Sequence, residues 1–88
     1  MEVHYNVLLS DNTHIEFYKN GEWKEINCRN SSVPRSLIPD EILAKVDQMY
    51  SDAMIVEIDR DNQEYDIKLS NGVEMTFDKR YNLTDIDD

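Results

Sequence analysis

The residues best suited to chemistry in this 88-residue chain are two histidines and one cysteine. A hydrolase or transferase needs a nucleophile, a base and an orienting group that converge in one pocket. His4 and His14 each lie between alternating apolar residues, so we expect both side chains to point to solvent. Cys28 cannot form an intrachain disulfide or a cysteine-based zinc site by itself. We therefore predict a protein that is not an enzyme, with no catalytic residue and no cofactor.

A short acidic segment resembles part of a calcium-binding loop, because hard cations bind clustered oxygen ligands. It contains Asp59, Asp61, Asn62 and Glu64. The segment lacks a glycine for the sharp bend and a distal bidentate glutamate, and a polar hairpin turn explains the same residues. We predict no metal site and retain these four side chains as the only candidate ligands.

The aromatic residues divide into two groups. Five occupy alternating or equivalent strand positions and are predicted to lie in the core: Tyr5, Phe17, Trp23, Tyr65 and Phe77. Large aromatic side chains contribute much of the burial energy in a small domain, which favours this interpretation over a ligand-stacking platform. Tyr18 and Tyr81 depart from the pattern, and we predict that they are exposed partner contacts.

The net charge excludes several classes of partner. Nineteen acidic against nine basic residues give a net charge of −10, which repels phosphate backbones and anionic membranes. We expect no nucleic-acid partner and no membrane insertion, and either simple solubility or recognition of a basic protein. Residues 1–10 show neither a signal peptide nor a membrane span, which suits a cytoplasmic protein or the trimmed form of an exported one.

An internal repeat organises the chain. A shift of sixty positions places residues 5–26 on residues 65–86 without a gap. The identical pairs are Tyr5/Tyr65, Leu9/Leu69, Ser10/Ser70, Phe17/Phe77, Lys19/Lys79 and Ile26/Ile86. In both copies the apolar residues alternate, which predicts half-buried strands in two hairpin units, at about 3–28 and 63–86.

Turn signals separate these strands. Asn71-Gly72 predicts a type I′ turn with positive φ at both residues, and Asp11-Asn12 is its equivalent. Asn20-Gly21 predicts a second turn in the first unit, whereas Arg80-Tyr81 in the second unit predicts a looser connection. Trp23 and Ile26 are three residues apart, which predicts a β-bulge between them.

One amphipathic segment lies between the units. Pro39 and the acidic residues after it suit a helix start, and an apolar stripe continues to Tyr50, so we predict a helix over 39–51. Residues 29–38 are an expected linker and residues 53–59 a further strand. The sequence thus predicts one α+β domain with an antiparallel sheet of six or seven strands and one helix on one face.

Several segments of the sequence together resemble the PepSY-like family of β-lactamase-inhibitor-like proteins of Bacteroidetes. The matching segments are 17–26, Val33-Pro34, Ile38-Pro39, 64–72 and 77–79. The resemblance implies tandem units of a helix on an antiparallel sheet, and an exported or periplasmic location. Members place a helix before each strand group, whereas the first copy here begins with its strands. No catalytic residue is carried over from the family.

Three functions follow as hypotheses. The first is a non-catalytic binding or inhibitor-like module that contacts a protein in the cell envelope. The second is a carrier of a small ligand or a cation such as calcium, through the 59–64 turn or the sheet surface. The third is a structural domain that completes its core by homodimerisation.

Overall fold

The computed structural model describes residues 3–28 and 31–88, and side chains from residue 5 onward. Within these residues, seven strands form one antiparallel sheet in sequence order, with one α-helix on one face. The elements are β1 (Val3–Leu8), β2 (Thr13–Tyr18), β3 (Trp23–Cys28), α1 (Asp40–Met49), β4 (Ile55–Arg60), β5 (Glu64–Leu69), β6 (Glu74–Asp78) and β7 (Leu83–Asp87). The predicted α+β class and strand number are confirmed. The one-domain prediction stays a prediction.

Four hairpin turns share one backbone geometry. Each holds three loop residues, and the third has a positive φ: Asn12 (70°), Gly21 (89°), Gly72 (90°) and Tyr81 (68°). This is a type I turn followed by a left-handed residue, which forms a β-bulge. The predicted type I′ turn at Asn71-Gly72 is wrong because the loop holds three residues rather than two. Asn12 and Gly72, like Gly21 and Tyr81, are sixty residues apart, so the repeat extends to the backbone conformation.

The Arg80-Tyr81 turn is as tight as the others. The Asp78 carboxylate accepts hydrogen bonds from the backbone N–H groups of Arg80 and Asn82, at 2.9 and 3.0 Å. The bond from Asn82 is the largest influence that lowers the pKa of Asp78. The looser connection predicted here is therefore wrong, since an aspartate side chain stabilises a turn that lacks glycine.

Both units contain a bulge in their third strand. Glu16 pairs with Glu25 but Phe17 pairs with Trp23, which leaves Lys24 as the extra residue. In the second unit the register shifts at the equivalent position, between Thr76 and Phe77. The bulge predicted from the Trp23 to Ile26 spacing is confirmed.

The core lies between α1 and one face of the sheet. Paired aliphatic residues form a row across all seven strands on this face: Val7, Ile15, Ile26, Ile58, Ile67, Met75 and Ile86. Ile42 and Val46 of α1 are fully buried against the central strands and the second unit. The helix is shorter than the predicted 39–51, because Pro39 is its N-cap and Tyr50 its C-cap.

The first hairpin is much less covered than the second unit. Tyr5 is 50% exposed and Leu9 45% exposed, although both lie on the apolar side of the hairpin. The predicted core position of Tyr5 is wrong, because alternation along a strand shows which face a residue occupies but not whether that face is covered.

Candidate functional site: the open face of the sheet

The face of the sheet opposite α1 is rich in carboxylates. Residues paired across successive strands form one row, Asn6, Glu16, Glu25, Asp59, Asp66, Thr76 and Asp85. A parallel row contains Leu8, His14, Asn27, Glu57, Lys68, Glu74 and Asp87. We call these two rows the acidic face. Like charges directly opposite each other destabilise a sheet, so the four consecutive carboxylates of the first row are expected to repel one another.

Part of this charge is balanced within the protein. Lys24, the bulge residue, donates to Asp59 at 3.0 Å between Nζ and Oδ2. The bulge therefore places a cation beside the acidic row. The hydroxyl of Thr76 donates to Asp66 at 2.8 Å. These contacts provide partners for Asp59 in the middle of the acidic face and for Asp66 in the second unit.

The carboxylate Glu57 of the second row also has a partner. The side-chain amide of Asn27 donates to Glu57 Oε1 at 3.1 Å. Glu16 and Glu25 differ from these residues, since neither belongs to an ion pair among residues 3–28 and 31–88.

Glu25 is the most perturbed carboxyl on the acidic face. Partial burial, followed by the negative charges of Glu57, Glu16 and Asp59 and a hydrogen bond with Asp59, raises the pKa of Glu25 to about 7. Each cause disfavours the ionised form, so this position retains a proton at a pH where an ordinary glutamate has lost it.

His14, Glu16 and Glu25 converge on the acidic face. One ligand atom from each side chain lies within 4.8 Å of the other two, and all three side chains are half-buried. Among the described residues, no other group of three His, Cys, Asp or Glu side chains meets this distance. Sequence reasoning placed His14 toward solvent and did not connect it with the glutamates. The available signal was the His-x-Glu alternation, but the contact with Glu25 depends on the register of β3.

One of the four predicted calcium candidates, Asp61, stabilises its own turn. Asp61 Oδ1 accepts from the backbone N–H groups of Gln63 and Glu64, at 2.7 and 2.9 Å, and these two bonds lower the pKa of Asp61. Asp59 is bound to Lys24, and the negative charge of Asp66 raises the pKa of Glu64. Asn62 is exposed in the same turn. Calcium binding by these residues stays an alternative hypothesis.

The two predicted contact tyrosines have different surroundings. Tyr18 is only 9% exposed, and its hydroxyl donates to the carbonyl oxygen of Arg60 at 2.7 Å, so the exposure predicted for it is wrong. Tyr81 is half-buried, with its ring centroid 5.8 Å from that of Tyr65. A partner contact at either residue stays a prediction. The side chain of His4 lies outside the described residues.

One family model matches all of the described sheet except the end of β7. The family is described as "Putative beta-lactamase-inhibitor-like, PepSY-like", and its model covers residues 3–85. The chain belongs to the PepSY-like family. The resemblance stated from the sequence is thereby confirmed, and the description names no catalytic activity.

Solved structures support this membership. The PepSY-like chain superposes with a TM-score of 0.94 and 42% identity on a protein described as a "putative calcium-regulated periplasmic protein" of Bacteroides thetaiotaomicron. Two proteins of Bacteroides vulgatus, each described as a "putative periplasmic protein", give TM-scores of 0.93 and 0.91, with 43% and 37% identity. Each alignment covers 96% of this chain and 66 or 67% of the relative. The chain thus spans about two thirds of the length of these relatives. No curated protein matches it.

One further finding concerns membranes. No helix in the described part of the chain is long and apolar enough to cross a bilayer.

Proposed function

We propose that this PepSY-like protein is a non-catalytic binding module of the periplasm, whose acidic face docks onto a basic surface of a partner protein. The row of Glu16, Glu25, Asp59 and Asp66 supports this proposal most strongly. It concentrates carboxylates on one face of the sheet, where one basic patch could contact several of them at once. The relatives described as periplasmic support the location.

Affinity capture with matched variants tests the docking face. Immobilised protein is incubated with a periplasmic extract of Bacteroides vulgatus and compared with two variants of equal net charge. The face variant carries Glu16→Gln, Glu25→Gln and Asp66→Asn, and the control carries the helix changes Asp40→Asn, Glu41→Gln and Asp47→Asn. A partner retained by the native protein and the control, lost by the face variant and released by salt, supports the proposal. Equal capture by both variants contradicts it.

A second candidate is calcium-dependent binding. One relative with 42% identity is described as calcium-regulated, and this chain offers carboxylates in the 59–64 turn and on the acidic face. A calcium-dependent rise in melting temperature that is lost in Asp61→Asn would support binding at the turn. An unchanged melting temperature in millimolar calcium would remove this candidate.

A further inference from the structure

We propose that His14, Glu16 and Glu25 form a binding site for a divalent transition-metal ion of the zinc type. The proposal shares Glu16 and Glu25 with the docking function above, but it concerns an ion held by three side chains of one chain, and it is tested by metal binding rather than by partner capture. It also differs from calcium binding at the 59–64 turn in its location and in its ligand chemistry.

Strand geometry brings the three ligands together. His14 and Glu16 are two residues apart on β2, so both project from the open face of the sheet. Glu25 lies directly opposite Glu16 on β3. The ligand atoms lie within 4.8 Å of one another, whereas ligands of a tetrahedral zinc ion lie about 2.0–2.2 Å from the metal and thus roughly 3.4 Å apart. Binding one ion therefore requires the three side chains to move closer together.

The donor set selects the class of ion. One imidazole nitrogen with two carboxylates suits zinc and its first-row neighbours, whereas calcium prefers six to eight oxygen ligands. Three protein ligands leave the fourth zinc position for water or for a group from a partner.

The charge of the site provides a second, independent argument. Glu16 and Glu25 face each other across adjacent strands, and the ion pairs formed within residues 3–28 and 31–88 involve neither carboxylate. The nearby Lys24 is bound to Asp59 instead. Two facing carboxylates repel each other when both are ionised, and a bound dication would remove this repulsion.

The internal repeat supplies a matched control. The positions equivalent to the three ligands are Glu74, Thr76 and Asp85, which occupy the same places in the second unit. That unit has neither the imidazole nor the central carboxylate, so it cannot form the same site. Its carboxylates nevertheless contribute similar charge to the acidic face.

Isothermal titration of metal-free protein with zinc chloride tests the site. We expect one zinc ion per chain. His14→Ala and Glu25→Gln should each lower the zinc affinity at least about tenfold, because even loss of a residue that only hydrogen-bonds a metal ligand costs that much. Glu74→Gln removes the same formal charge as Glu25→Gln and is expected to retain native affinity. If Glu74→Gln weakens binding as much as Glu25→Gln, zinc is attracted only by the general charge of the face and the proposal is wrong.

Two further measurements separate the remaining interpretations. The imidazole nitrogen resonances of His14 should shift on zinc addition in the native protein, a change that general screening by salt does not produce. Dependence of binding on His4 rather than His14, shown by His4→Gln, would overturn the assignment. Displacement of zinc by an equal concentration of calcium would overturn the proposed ion class.

Discussion

The two halves of the sheet have similar sequences but different surroundings. Leu69 is 1% exposed, whereas its repeat equivalent Leu9 is 45% exposed, and Ile67 is 1% exposed against 37% for Val7. The helix α1 accounts for the difference, since Ile42 and Val46 pack in the same cluster as the second unit. The two units therefore share their strands, turns and bulges. They differ in burial, because α1 covers the apolar residues of the second unit and leaves those of the first hairpin exposed.

Truncation of the equivalent phenylalanines should give the largest difference in stability between the two halves. Phe77 is fully buried, and Phe77→Ala is expected to lower the free energy of unfolding by about 3–5 kcal/mol. Phe17 is half-buried, so Phe17→Ala should cost only about 1–2 kcal/mol. Urea denaturation followed by circular dichroism measures both values. Equal losses would show that the first half is as well covered in solution as the second.

Substitutions in the equivalent turns should give the next largest change in stability. Gly72 has a φ of 90°, and a methyl group at its Cα would point into open space, so Gly72→Ala adds backbone strain alone, about 1–2 kcal/mol. Asn12 has a φ of 70°, and Asn12→Gly should stabilise the protein by up to about 1 kcal/mol. Thermal denaturation of both variants checks the opposite signs. A neutral Gly72→Ala would contradict the assigned turn geometry.

The third and smallest contrast concerns charge. The pKa of Glu25 is raised from 4.5 to about 7, so between these two values the folded protein binds more protons than the unfolded chain. The contribution of Glu25 to stability therefore falls as the pH rises through this window. Glu25→Gln should remove the fall in the free energy of unfolding that Glu25 causes. Above about pH 7 the variant should be more stable than the native protein by about 1 kcal/mol, a value that includes a reduction for solvent screening. Chemical denaturation with EDTA present, at pH 5 and pH 8, measures the change.

The repeat-equivalent change Asp85→Asn is the control for Glu25→Gln. Asp85 lies on the edge strand β7 opposite Thr76, whereas Glu25 faces carboxylates on both neighbouring strands. A smaller gain is therefore expected for Asp85→Asn. Equal gains from the two variants would mean that net charge, rather than the neighbours of Glu25, determines the effect.

The uncovered half also bears on the homodimer hypothesis. Tyr5, Val7, Leu8 and Leu9 are exposed on or next to an edge strand. Dimerisation through this surface stays a prediction, and the molar mass from light scattering would test it.

Sequence reasoning succeeded where a property depends on neighbouring residues. Alternation predicted the strands, the Trp23 to Ile26 spacing predicted the bulge, and an apolar stripe predicted the helix. It predicted the positions of the turns but not their type, because loops of two and three residues contain the same Asn-Gly signal. It also failed for Tyr18, whose hydroxyl binds Arg60, 42 residues away along the chain.

The candidate site was harder to predict than the fold. Cross-strand register brings His14, Glu16 and Glu25 together, and the bulge at Lys24 shifts that register by one residue. Without the position of the bulge, the sequence does not show which residue of β3 faces Glu16. Residue type alone indicated the 59–64 turn as the candidate cation site instead.

The order of the strands has a kinetic consequence. Every strand pairs with its neighbour in the chain, so most pairings require closure of only a short loop. The exception is the junction of β3 and β4, where a long connection containing α1 must close before Ile26 meets Ile58. Each hairpin unit can therefore form early by itself, and the joining of the two units is the step expected to limit the folding rate.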